Sequence, residues 1–545
     1  MADTSAAKMS QALMKKMRQQ KNVEAANHFA LGILGITFLY TLYFWTGPLY
    51  RRIGVGSRTN NAFHKPVQMI RKVRRKLILD TPGFISGGHA VVFILYLVIT
   101  LFVLFTNINW ANLSGFAKRL GWLTVLNMCL SIFLGLKHTP LSLLTDQSYE
   151  KLNCLHQIAG HSSIASLFLH TVVYITSLSQ AGKLSTVIGE KAQVMGILAG
   201  LSLLIIFLTA IFLRKTHYEA FYIIHILMVF FALILAGLHR PRLSVTRSSY
   251  ILVFAGSIWA IDRLFRLTKY VTSSYKNSVT ITPLPHDGTR VVFSKPLKST
   301  IPGQHYFIWI PGIRAFESHP FTCLSAETGE FIIAAQKGFT RNLYHRALKG
   351  PGSILKASID GPYGNPPNLM GFTKVLFIAG GSGASYTCSL AVDLHKEMIE
   401  WTSSQLNILA TSPIVSLHVH VTRKESEESS RNSLLPLTNF TSSIPLDFSS
   451  TSDTEKFVNS YFTANNFPNS TVTSDTFVKA SMELNLGRPN LNSQISQAVN
   501  TSSTTERIAI VACGPDAMMV NIRRIVAENI RPEGPSLQLF SEQFG

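Results

Sequence analysis

Seven apolar runs fall before residue 270, at about 29–49, 88–106, 119–137, 153–178, 192–213, 217–239 and 249–265. Each is long enough to cross a bilayer core of about 30 Å as a helix. Inside hydrocarbon, only helices and closed barrels satisfy every backbone donor and acceptor. The pattern therefore predicts a multi-pass α-helical membrane bundle of about seven transmembrane helices. The seventh run carries Asp262 and Arg263 near its end. The first 28 residues are polar and basic, and no cleavable signal is evident before the first run.

Charge bears on orientation. Only 14% of the 545 residues are charged, against about 25% in ordinary soluble proteins. The net charge of +21 would suggest nucleic acid in a soluble chain. Here the basic residues flank apolar runs: Lys15, Lys16, Arg18 and Lys21, then Arg51, Arg52, Arg58, Lys65, and Arg71 to Lys76. Topology accounts for them, and nucleic acid is not an expected partner. The densest run lies between the first two spans and should be cytosolic, which puts the N-terminus outside and the C-terminal half in the cytosol. Arg240, Arg242, Arg247 and the N-terminal basic run conflict with this scheme. The five cysteines form no CxxC pair, so neither a zinc site nor a disulfide framework is expected.

The fourth and sixth runs each carry two histidines 14 residues apart: His156 and His170, then His225 and His239. Fourteen steps of roughly 100° come within about 40° of whole turns, so each pair shares a helix face. The rise separates the two rings by roughly 21 Å, most of the depth of the bilayer core. Two such helices side by side would clamp two stacked haems, with one imidazole on each side of each iron. The competing readings are packing and a proton relay. Gly160, one turn after His156, would leave room for a flat macrocycle. His161 points about 140° away and is left out of the site. His138 and His217 lie at loop edges and are expected to be solvated.

The second half changes character. VTITPLP, TRVVFSKP, QHYFIWIPG and EFIIAAQKG are short runs broken by Pro and Gly, predicting an antiparallel β-barrel over 271–370. From 374, a buried strand, a Gly-rich turn and a helix open an α/β domain with a parallel sheet over 371–545. VSLHVHVTRK and RIAIVACGP supply further strands. The segment at about 425–505 is rich in Ser, Thr and Asn and reads as a mostly disordered insertion. Its sequons, at Asn439, Asn469 and Asn500, are chance matches if this half is cytosolic.

Three motifs carry the chemistry. The first, Glu317-Ser-His-Pro-Phe-Thr-Cys-Leu-Ser325, resembles the flavin-binding motif of the ferric reductase and NADPH oxidase superfamily, whose cytosolic half is similar to ferredoxin-NADP reductase. The resemblance implies that His319, Pro320, Phe321 and Thr322 line FAD, with the Thr322 hydroxyl tuning the ring. Lys337-Gly-Phe-Thr-Arg341 is placed like the segment that meets the flavin pyrophosphate, which implicates Lys337, Thr340 and Arg341. In the third, Gly380, Gly381, Ser382, Gly383, Ala384 and Ser385 open a helix whose free N–H groups suit a pyrophosphate. Its position after Asp360-Gly-Pro-Tyr-Gly364 and before Cys513-Gly514-Pro515 is similar to the family's NADPH site, with Cys513 near the nicotinamide. Phe544 is placed like the terminal aromatic that covers the flavin in the resembled reductases; a packed terminal strand is the alternative.

The resemblance implies a polar segment (1–28), a first span with a basic cytosolic loop (29–87), a di-haem domain (88–270), the FAD barrel and the NADPH domain. It also implies NADPH, FAD and two b-type haems as an electron chain across the plasma membrane or endoplasmic reticulum. The expected acceptor is a ferric or cupric ion or chelate, with dioxygen as the alternative. A haem-binding scaffold or sensor without turnover is the reading from another class.

Overall fold

The computed structural model describes residues 2–398, except 57–60, 80, 82–83, 85, 111, 146, 240–247, 286 and 298–299, and then 417–421, 482–486 and 488–542. Among the described residues, ten helices precede the first strand: α1 (Ala2–Gly56), α2 (Asn61–Ile78), α3 (Gly87–Phe105), α4 (Leu113–Leu134), α5 (Pro140–Thr145), α6 (Tyr149–Gln180), α7 (Leu184–Ile188), α8 (Lys191–Phe212), α9 (Tyr218–His239) and α10 (Ser248–Ser274). Six are long and apolar enough to cross a membrane, in α1, α3, α4, α6, α8 and α9. α10, at the seventh predicted run, is helical but buries Asp262 and Arg266, so its inner half is tied to polar partners rather than to lipid.

α4 is the buried centre of the bundle, with Leu120, Trp122 and Leu123 almost fully enclosed. α3 instead exposes Ile94, Val98, Leu101 and Phe102, as expected of a helix that is apolar all round and faces hydrocarbon. The close packing runs in pairs, α6 along α4 and α9 along α8. The two histidine-bearing helices therefore each lean on their own neighbour.

Strands β1 (Ser278–Leu284), β2 (Gly288–Phe293), β3 (His305–Trp309), β4 (His319–Thr322), β5 (Glu330–Ala334), β6 (Ser353–Lys356) and β7 (Ser358–Tyr363) follow, with α11 (Phe339–Lys349) between β5 and β6. They form two antiparallel sheets, ordered β5-β2-β1-β6 and β4-β3-β7. The expected barrel is not closed among the described residues. The alternation that suggested it is real, since Val279, Ile281, Val291, Phe331 and Ile333 fill one core, but two sheets folded over that core satisfy it equally well.

β8 (Lys374–Ala379), β11 (Arg507–Cys513) and β12 (Ser536–Glu542) make a parallel sheet in the order β12-β11-β8. The helix α12 (Ala384–Met398) follows β8. Between them β9 (Leu417–Val421) pairs in parallel with β10 (Met482–Leu486), and α13 (Leu491–Asn500) and α14 (Asp516–Asn529) complete the domain. Two of these elements correct the predicted insertion. Its end, from 482 to 500, is a strand and a helix. In α13, Leu491, Ile495 and Val499 repeat every four residues and bury one face against Ile522 and Val526. Residues 425–481 of that insertion lie outside the described residues.

The basic loop and the soluble domains share one side. Arg71 of α2 donates to the carbonyls of Arg531, Pro532 and Gly534 at 3.3, 2.9 and 2.8 Å. The predicted side of that loop thus agrees with its contacts. At the other end of the bundle, Arg119 donates to Asn22 Oδ1 (2.8 Å) and to the Lys21 carbonyl (3.2 Å). The N-terminal basic run therefore begins away from the soluble domains, and its conflict with the charge rule persists in the fold.

Candidate functional site

His156 of α6 and His225 of α9 meet with ring centroids 6.1 Å apart and planes at 61°. An imidazole–metal bond is about 2 Å, so two imidazoles on opposite sides of one metal have centroids about 6 Å apart. The spacing fits a shared iron. The unused ring nitrogens are also arranged for it. His156 Nδ1 donates to the Ser131 carbonyl (2.7 Å), His170 Nδ1 to Ala117 (2.7 Å) and His239 Nδ1 to Ala192 (2.6 Å). A carbonyl on Nδ1 fixes the tautomer that leaves the Nε2 lone pair free, the usual support for a metal-binding histidine. Packing alone does not require three histidines to make the same bond.

His161 faces Phe207 with ring centroids 6.1 Å apart, away from that pair as the helical angle predicted. His217 is exposed. His138 is not merely solvated: its backbone N–H and Nδ1 both meet Asp262 Oδ1, at 3.1 and 3.2 Å, and Lys269 Nζ lies 3.0 Å from its Nε2.

The two flavin-type motifs converge. Among the described residues, β4 is an edge strand carrying His319 to Thr322, paired only with β3. An edge is where Pro320, which has no N–H to donate, is tolerated. His319 and Phe321 both stack on Phe339, with centroids at 4.8 and 6.2 Å. Phe339 belongs to the second motif and starts α11, behind Gly338 at φ +65°. Thr340 Oγ1 accepts from the Gln336 N–H (2.9 Å), Lys337 is exposed, and Arg341 is turned to Asp287 Oδ2 at 2.9 Å.

The strand β4 also reaches the membrane bundle. Ligand-type atoms of His319, Glu317 and Glu219 lie within 4.8 Å of one another, and Glu219 stands six residues before His225 on α9. Beside them, Arg266 of α10 donates to Asp360 Oδ2 (3.2 Å) and Tyr222 OH (3.4 Å), and Arg263 to Tyr222 OH (3.0 Å). Tyr363 OH donates to Asp360 Oδ1 (2.8 Å), and its proton is held by burial and that carboxylate. This polar joint between the first haem-type pair and the flavin sheet was missed from sequence. Its signal was present: Asp262 and Arg263 are ionisable residues near the end of an apolar run, and Arg266 follows it.

The nucleotide-type motifs are likewise adjacent. The turn Gly380 to Ser385 follows β8, and Cys513-Gly514-Pro515 follows β11, its neighbour in the sheet. Gly380 N–H donates to the Cys513 carbonyl at 2.9 Å. Both turns lie at the carboxyl ends of parallel strands, where open α/β sheets take ligands. A Cβ on Gly383 would run into the Cys513 carbonyl, so the approach of the two turns needs glycine there. Ser382 is exposed, Ala384 and Ser385 are half-buried at the start of α12, and Pro515 precedes α14. Cys513 is buried, and burial, then the nearby Glu542 carboxylate, pushes its thiol up to about 12. Glu542 in turn meets Lys151 of α6 at 3.1 Å, which ties this domain to the inner end of a histidine helix. Phe544 lies outside the described residues.

Three family models match in the order of these parts. They are a ferric reductase like transmembrane component at 120–236, an FAD-binding domain at 273–367 and a ferric reductase NAD binding domain at 372–527. Among curated relatives, ferric/cupric reductase transmembrane component 2 of Schizosaccharomyces pombe is 26% identical over 52% of this chain and 59% of its own length. Ferric/cupric reductase transmembrane component 1 of Candida albicans is 24% identical over 76% of this chain and 55% of its own. A probable cell surface ferric reductase of Aspergillus oryzae, kap2, is 26% identical over 62% of this chain and 48% of its own. The chain thus spans about half of the length of these relatives. With six apolar helices among the described residues, a flavin-type sheet region and a nucleotide-type α/β domain in that order, the chain is a multi-pass membrane protein of the ferric reductase and NADPH oxidase superfamily.

Proposed function

We propose that this chain carries electrons from cytosolic NADPH, through FAD and two b-type haems, to a ferric or cupric ion or chelate across the membrane. The observation that carries the reading is the 6.1 Å spacing of His156 and His225, with His170 and His239 each 14 residues further along the same two helices. Bound flavin would accept electrons in pairs from the nicotinamide and release them singly to haem iron. The residues do the rest. His156 and His225 would hold the inner haem, and His170 and His239 the outer one.

The strand His319 to Thr322, with Lys337, Thr340 and Arg341, would seat the flavin against the inner end of α9. The turn Gly380 to Ser385 would take the dinucleotide pyrophosphate, with Cys513, Gly514 and Pro515 beside the nicotinamide and Phe544 over the flavin. The relatives are ferric/cupric reductase transmembrane components, which favours a metal acceptor over dioxygen. The compartment is proposed as plasma membrane or endoplasmic reticulum.

Sealed vesicles with NADPH on the soluble-domain side test the reading. Reduction of ferric chelate on the far side should persist without oxygen and with superoxide dismutase present. A signal that vanishes anaerobically would replace the metal with dioxygen. Protein that binds haem but leaves NADPH unoxidised would point to a scaffold or sensor.

A further inference from the structure

Three of the four histidines sit in the same local device, and the fourth does not. The Nδ1 of His170, His156 and His239 each reaches the carbonyl of a residue on the neighbouring helix: Ala117, Ser131 and Ala192. Four residues after each carbonyl stands a glycine: Gly121, Gly135 and Gly196. A Cβ at those glycines would lie 3.1, 3.0 and 2.5 Å from the same Nδ1 atoms. Each glycine therefore opens the notch through which an imidazole reaches its carbonyl.

The register extends to His225. On α4, the two carbonyls are 14 residues apart, as are their histidines on antiparallel α6. On α8, fourteen residues on from Ala192 is Ile206, opposite the position 14 residues back from His239, which is His225. Four residues after Ile206 the chain has Ala210, not glycine. Three residues after it stands Thr209, where the other three sites have Leu120, Leu134 and Met195. Thr209 Oγ1 donates to the Ile205 carbonyl at 2.8 Å and also reaches the Ile206 carbonyl at 3.1 Å. His225 Nδ1 is buried and has no hydrogen-bond partner among the described residues.

We propose that Gly121, Gly135 and Gly196 are positioning residues for three haem-ligating histidines, and that Ala210 and Thr209 deny the same support to His225, so the inner haem has one tethered and one untethered axial imidazole. The inference rests on the haem assignment above. A hydrogen bond from Nδ1 makes a ligating imidazole more basic, which favours the oxidised metal. His225 is then the weaker donor of the four, and Ala210 and Thr209 raise the potential of the inner haem relative to a fully tethered site.

The test uses detergent-solubilised full-length holoprotein, with haem counted per chain and each haem followed by redox titration and low-temperature EPR. Two haems per wild-type chain must be present; fewer would sink the haem assignment itself, separately from this inference. In Ala210→Gly combined with Thr209→Val, the inner haem midpoint should fall and its EPR g-values should shift, with the outer haem unchanged. An inner haem with unaltered midpoint and spectrum in that variant would overturn the inference. Gly196→Ala should perturb or release the outer haem alone. Gly256→Ala, where a Cβ would meet nothing within 4 Å, should keep both haems as in wild type. Equal behaviour of Gly196→Ala and Gly256→Ala would also overturn it.

Discussion

At the scale of single residues, Cys513 shows how burial decides what a group in the proposed nucleotide site can do. Its thiol is pushed from about 9 up to about 12, so at pH 8 it holds about 10³-fold less thiolate than an exposed cysteine. It is therefore a neutral, packed thiol rather than a nucleophile or redox centre. Iodoacetamide at pH 8 should modify Cys513 about 10³-fold more slowly in the native protein than in urea; comparable rates would refute the burial. The sign for stability follows. The unfolded thiol ionises first, so between about pH 9 and 12 the unfolded state binds fewer protons and folding stability falls as pH rises. Replacement of Cys513 by Ser should flatten that part of the pH–stability curve. Gly383 gives a second prediction. Since an added Cβ meets the Cys513 carbonyl, Gly383→Ala should raise KM for NADPH by about tenfold or more while flavin content stays the same. An unchanged KM would remove this turn from the nucleotide site.

At the scale of elements, the histidine helices were legible because one period, 3.6, governs both which residues face each other and how deep they lie. Their 14-residue spacing needed no knowledge of neighbours. The strand β4 and the turn after β8 were legible for a similar reason: local sequence carries their conformation. What was not legible is tertiary. α13 was hidden in polar surroundings, because four apolar residues in ten, one of them alanine, are too few to show a period until they meet α14. The barrel reading failed because alternation specifies a buried face but not how the sheet closes. The joint of Arg266 with Asp360 links residues 94 positions apart, which no local pattern announces. Both side chains are buried, at 10% and 0% exposure. Removing one partner of such a pair costs about 3–5 kcal/mol, while replacing both by apolar groups costs far less. Arg266→Met should therefore lower Tm and slow haem reduction by NADPH, with NADPH–ferricyanide activity retained. The double variant Arg266→Met/Asp360→Leu should recover Tm over the single one. If the single variant reduces haem at the wild-type rate, the joint does not hold the flavin sheet to the bundle.

At the scale of the whole molecule, contacts between domains fix which loops share a side. Arg71 on the Gly534 carbonyl, Asn365 on the Ser142 carbonyl and Lys151 on Glu542 put the loops after α1, α4 and α5 with the soluble domains. Glu219 near Glu317 does the same for the turn between α8 and α9. Asn22 and Lys21, bonded to Arg119, belong to the other face, as does the turn between α6 and α8. Six helices among the described residues are long and apolar enough to cross, and α10 ends on the soluble-domain side, where Ser273 meets Ser358. Asp262 is shielded there by His138 and Arg263, at 3.2 and 3.4 Å, and Arg266 by Asp360, so these polar residues of α10 meet polar partners instead of lipid. Single cysteines introduced at Lys183 and Lys215 of a cysteine-depleted chain check this directly. In sealed vesicles a membrane-impermeant maleimide should label one of them from outside and the other only after permeabilisation, with position 215 sharing the accessibility of the NADPH site. Labelling of both from the same side would break the alternation. It would also remove the depth difference between His225 and His239 on which transmembrane, rather than surface, electron transfer depends.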